Sequence, residues 1–253
     1  MPTSESQKFL KVASLLGVGF LLLPLVFVLA KGLQWEALRS LFAREDILSA
    51  ASQSLGLAMG SALLTTFLGT MTALAMPQLG PRFESFVRGA LVFPMVLPEI
   101  AIGLSLLVWF VHLGFPLGWG TLLGGHIALC LGYSTFVMKA RVESLDESLL
   151  DAARDLGANR WGVFRHGLFP QLLPALLASF LMCFALSLDD FLISVFVKGF
   201  DQMLLPIQIF SMMRVRLGPE IYALASLLFC ISLLGVLLTQ IGLLSRSSKK
   251  IGN

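Results

Sequence analysis

From residue 47 to residue 81 the chain carries no acidic or basic side chain. About 20 consecutive apolar residues carry a helix across the hydrocarbon of a bilayer, so this stretch is long enough to cross and turn. Comparable runs recur along the chain, and the spans read from them are 12–30, 49–75, 89–113, 121–138, 171–197 and 221–245. Charged residues make up 13% of the 253 positions and hydrophobic ones 57%, against roughly 25% charged in soluble domains. The pattern predicts an all-α, multi-pass membrane protein of six helices forming one transmembrane domain over 1–253. It excludes a nucleic-acid-binding surface, because the basic residues form no patch. Cys130, Cys183 and Cys230 all lie in apolar runs and read as small packing residues rather than a disulfide or metal framework.

Six spans put both termini on one side. Lys and Arg number 12 on that side and 6 on the other, and the excess of basic residues marks the cytoplasmic face. The termini and the longest charged segment, 139–170, are therefore expected in the cytoplasm. Within that segment Ala152 and Ala153 favour a helix, and Gly157 suits the left-handed position after a helix end, with Asn159 helping the turn. A second helical stretch, 160–168, is expected to run into Pro170, with Trp161, Phe164 and Leu168 on one apolar face. The segment reads as helix, glycine turn, helix, outside the membrane.

Charge also breaks into the spans. An ionised aspartate at the centre of a bilayer costs roughly 2.5–3.5 kcal/mol, and Asp189 and Asp190 are adjacent in the fifth span. Ser179, Cys183, Ser187, Asp190 and Ser194 follow helical steps of 4, 4, 3 and 4, so Asp190 should face inward. The direction of Asp189 is not set by that pattern. One reading is an anionic site along a cation pathway involving Asp189, Asp190 and Ser187. The other is that one aspartate caps a break in the helix or pairs with an arginine. Glu99 follows Pro98 in the third span and either faces the same cavity or is a structural residue at a kink. His112 and His126 are expected at span ends near the outer surface. The chain has no G-x-x-x-x-G-K phosphate loop, and no lysine follows a glycine, so it does not bind ATP in the phosphate-loop way and any energy would have to come from another subunit.

The segment Asp151-Ala152-Ala153, three residues, Gly157, nine residues, then Gly167-Leu168-Phe169-Pro170 resembles the "EAA" signature of ABC-importer permeases. It departs from the signature in Asp151 for Glu, Gly167 for Ile and Phe169 for Leu. Residues 97–106, 184–194, 205–212 and 218–225 resemble blocks of the C-type permease subunit of spermidine/putrescine importers, with Arg216 where many members have a small residue. The resemblance implies a type I ABC-importer (MetI-like) permease fold in a bacterial inner membrane. It implies a coupling loop at about 141–170 that docks on an ATPase dimer through Asp151, Ala152, Ala153, Gly157, Trp161, Phe164 and Pro170. It further implies a second homologous permease subunit, an extracytoplasmic solute-binding protein, and ATP and magnesium held by the partner ATPase rather than by this chain. The expected cargo is a small cation such as spermidine or putrescine, carried along Asp189, Asp190, Glu99 and Ser187. An aminophosphonate carried by the same machinery, or a gradient-driven secondary carrier, stands as the alternative.

Overall fold

The structure is a computed structural model, and it describes residues 4–146, 148, 151, 155, 157–231 and 233. Among these every regular element is helical. They are α1 (Ser4–Gly32), α2 (Trp35–Phe42), α3 (Glu45–Ala75), α4 (Pro81–Val96), α5 (Glu99–His112) and α6 (Trp119–Glu143). There follow α7 (Arg160–Asp189), α8 (Leu192–Val197), α9 (Leu205–Val215) and α10 (Pro219–Ile231). Among the described residues three helices are long and apolar enough to cross a membrane, and the count rises to 5 if each of two bent pairs is one span. The sixth expected span, 221–245, lies largely outside the described residues.

The chain divides into two compact units, residues 1–48 with 209–253, and residues 49–208. In the first, α10 lies against the end of α1. Phe27 meets Tyr222 edge to face at 6.2 Å, and Ser226 Oγ donates to the Val28 carbonyl at 3.0 Å. Gly32 sits where a Cβ would collide with the Tyr222 carbonyl, so only glycine allows this approach. Arg44 holds Asp46 at 2.7 Å and reaches the buried Glu220 at 3.5 Å.

The second unit holds the main core, built on Leu122, Leu129, Cys130, Cys183, Ile193 and Val197. Small residues set its spacing. A Cβ on Gly125 would lie 2.8 Å from Ile193 Cγ2, and one on Gly103 would lie 2.8 Å from Phe196 Cδ2. Thus α8 nests against glycines of both α5 and α6. A Cβ on Gly132 would strike the Leu91 carbonyl, which brings α4 and α6 into backbone contact, as small residues permit in membrane helices.

Two expectations of continuous spans are corrected. The third span is broken: α4 and α5 meet at 111°. Leu97 precedes Pro98 and takes φ −69°, ψ 147°, because the proline ring disfavours the helical region for the residue before it. Pro94, by contrast, stays inside α4. The fifth span is also broken: Asp190 is extended at φ −65°, ψ 121°, and the chain resumes as the short α8. At its other end α7 begins at Arg160, earlier than expected, and runs past Pro170 through a π-helical stretch at Val163–Leu168. The stretch 160–168 and the fifth span are therefore one helix, with a wide turn just ahead of a proline that has no N–H to contribute.

Candidate functional site

Two regions carry the residues singled out from the sequence. The first is the segment between α6 and α7. Ala152 and Ala153 lie outside the described residues. Asp151 is helical and exposed. Gly157 has φ +79°, a conformation that L side chains rarely adopt, and Asn159 Oδ1 accepts from the Gly162 N–H at 2.8 Å to cap the helix that follows. The Trp161 and Phe164 rings stack with centroids 5.4 Å apart, and Phe169 continues the row at 6.0 Å from Phe164. Trp161 remains 65% exposed, so this aromatic row presents a surface instead of filling a core. Pro170 is exposed at the start of the α-helical part of α7.

The ends of this segment are clamped by residues that the sequence reading does not single out. Arg141 Nε, on the last turn of α6, donates to the Gln171 carbonyl at 2.7 Å. The Gln171 side-chain oxygen accepts from the Asp146 N–H at 3.2 Å. Lys139 is buried between Glu84 at 3.2 Å and Glu143 at 3.0 Å. Hydrogen bonds and ion pairs therefore join α4, α6 and α7 where the segment begins and ends.

The second region is the break in the fifth span. The stripe read from the sequence is buried throughout: Ser179, Cys183, Ser187, Asp190 and Ser194. Asp190 faces inward and caps the break. Its carboxylate accepts from Ile193 N at 3.2 Å, Ser194 N at 2.8 Å and Ser194 Oγ at 2.8 Å. Of the two readings of the aspartate pair, the cap is the one this geometry supports for Asp190. Asp189 is the last residue of α7 and is exposed. Glu99 is exposed as the first residue of α5, at the other helix break. The two outward acids thus stand at breaks on the core helices, apart from the buried stripe.

His126 departs from its expected place. His112 ends α5 exposed, whereas His126 is fully buried. Its Nδ1 lies 2.6 Å from Ser187 Oγ and its Nε2 lies 3.0 Å from Ser194 Oγ. Ser61 of α3 donates to Ser187 at 2.8 Å, and Asp190 Oδ2 is 3.5 Å from Nε2. A lone histidine near the start of an apolar span gives no sign of these partners, which lie 61 and 68 positions further along the chain.

Residues 65–246 match the family described as "Binding-protein-dependent transport system inner membrane component". The chain belongs to that family. The permease is 34% identical over 234 residues to the "Spermidine/putrescine transport system permease protein PotC" of Escherichia coli K12, covering 88% of this chain and 89% of that one. It is also 34% identical over 237 residues to the "Putrescine transport system permease protein PotI" of the same organism, covering 86% and 84%. Among solved structures its fold resembles a chain of a bacterial alginate ABC transporter in complex with an alginate pentasaccharide-bound periplasmic protein. The TM-score is 0.67 with 16% identity, covering 92% of this chain and 93% of that one. This likeness speaks for the fold alone. The permease is an inner-membrane transport subunit of the ABC type, and nucleotide hydrolysis belongs to a partner.

Proposed function

We propose that the permease takes up polyamines, spermidine or putrescine, by alternating access driven by a separate ATPase dimer. The observation that carries this reading is the 34% identity, across nearly the whole chain, to two permeases whose names specify those solutes. Chemistry supports it, since Asp189 and Glu99 are exposed acids at helix breaks and a polycation is the solute they would attract. Intramembrane acids mark solute and ion pathways by default. In this proposal Asp189 and Glu99 contact the solute, while Ser187 and Asp190 shape the pathway from behind. Both termini and the segment 141–170 face the cytoplasm. There the surface at Asp151, Ala152, Ala153, Gly157, Trp161, Phe164 and Pro170 docks on the ATPase. A second homologous permease completes the channel, and a solute-binding protein delivers cargo from outside.

The solute is tested by purifying the binding protein that assembles with this permease and titrating it calorimetrically. Heat on adding spermidine or putrescine, and none on adding an aminophosphonate, is the expected result. Binding of the aminophosphonate alone would assign the same machinery to a different cargo.

A further inference from the structure

The His126 and Asp190 side chains, 0% and 1% exposed, lie in one line of hydrogen bonds whose direction can be worked out. Asp190 carries a carboxylate, which only accepts hydrogen bonds. Ser194 Oγ therefore donates to it at 2.8 Å, and that hydroxyl has no second proton to give. The bond between Ser194 Oγ and His126 Nε2, at 3.0 Å, must then run from nitrogen to oxygen. Of the two neutral tautomers, only the one protonated at Nε2 fits. Its Nδ1 accepts from Ser187 Oγ at 2.6 Å, and Ser187 accepts in turn from Ser61 at 2.8 Å, the shorter of two contacts open to the Ser61 proton, the other being the Ala58 carbonyl at 3.2 Å. Four helices contribute: α3, α6, α7 and α8. Every donor points the same way, and the line ends on the carboxylate that caps the break between Asp189 and α8.

The burial makes this arrangement consequential. His126 and Ser194 are both 0% exposed, so a donor or acceptor removed here has no water to replace it. Without the Nε2 proton, Ser194 Oγ loses its incoming bond, its buried oxygen is left unsatisfied, and its own bond to Asp190 is weakened. We propose that His126 is a positioning residue: acting through Ser194, it holds the Asp190 carboxylate in its cap and so sets the helix break at which Asp189 is exposed. The effect on transport rests on the reading of Asp189 as a solute contact, whereas the effect on the break does not.

Two substitutions at His126 separate the roles of its nitrogens. Glutamine places an amide nitrogen near the position of Nε2 and can still donate to Ser194. Asparagine reaches only the Nδ1 side and keeps the Ser187 contact alone. Ile193, fully buried at the first turn of α8, supplies the reporter as Ile193→Cys, in a background with Cys230→Ala. The variants are assembled with their partner subunits in proteoliposomes and treated with a water-soluble methanethiosulfonate. The thiol introduced by I193C should be protected with His126 and with H126Q, and labelled about tenfold faster with H126N, the effect of one lost bond in a line that ends on a charge. The Ser194→Ala variant should behave like H126N, and the double variant should be no worse than either alone, because both cut the same line. Spermidine and putrescine uptake should follow the labelling: retained in H126Q and reduced about tenfold in H126N at equal inserted amounts. Equal labelling in all variants, or additive effects of H126N and S194A, would overturn the proposal. If the unmodified complex takes up neither polyamine, the solute reading fails, and the labelling still decides the role of His126.

Discussion

Replacing Gly157 by valine is expected to reduce ATP-driven uptake about 5–30-fold while leaving the permease inserted and in normal amount, the range that corresponds to a left-handed residue's cost of about 1–2 kcal/mol. The reason is conformational, not spatial. Gly157 has φ +79°, and a Cβ built there meets nothing within 4 Å. A side chain would fit, but the backbone would resist it, most of all with a β-branched residue. The turn would relax to another geometry and carry the Trp161–Phe164 pair to a different place relative to α6. Asparagine tolerates the left-handed region better than other residues, so Gly157→Asn should recover part of the activity. Uptake and ATP hydrolysis measured together check the prediction: hydrolysis should persist while uptake falls. Normal uptake by the valine variant would remove this turn from the coupling path.

The second large effect is expected at the aspartate pair, and it should differ between neighbours. Asp190→Asn should lower both thermal stability and uptake. An asparagine presents one oxygen and one amide nitrogen where the carboxylate now accepts on both sides, from Ile193 N on one and from Ser194 N and Oγ on the other. One of those sides becomes donor against donor. Losing a hydrogen bond to a charged group costs about 1.5–3 kcal/mol, and each kcal/mol lowers the melting temperature by roughly 2–4 °C in a chain of this size. Asp189→Asn should leave the melting temperature unchanged, because Asp189 is exposed, and should reduce polyamine uptake alone. Melting curves and initial uptake rates on the two variants separate these outcomes. A melting shift in D189N equal to that of D190N would contradict the division of labour between them.

Much of this architecture is legible in the residues alone. The long uncharged runs announce membrane helices because a bilayer tolerates little else, and the glycine turn at 157 follows from the one residue that takes positive φ without strain. The inward stripe from Ser179 to Ser194 is readable as well, since helical periodicity survives even where the helix itself breaks. The breaks are not. Pro98 reads as a kink, yet its effect on Leu97 bends the chain by 111°. Asp190 reads equally well as a residue within a helix, although its carboxylate serves to cap the start of the next one. Nor can His126 be placed from the sequence, because its partners come from other helices and periodicity says nothing about contacts between elements. The same applies to Arg141, whose link to the Gln171 carbonyl crosses 30 positions of sequence.

The central claim is that this permease has no energy source of its own and moves only when a partner ATPase grips the segment between α6 and α7. The most direct measurement is radiolabelled spermidine uptake into proteoliposomes holding the permease pair, with binding protein outside, with and without the ATPase and internal ATP. Uptake is expected only when both the ATPase and ATP are present. Accumulation without them, driven by an imposed ion or voltage gradient, would contradict the account and make the protein a secondary carrier.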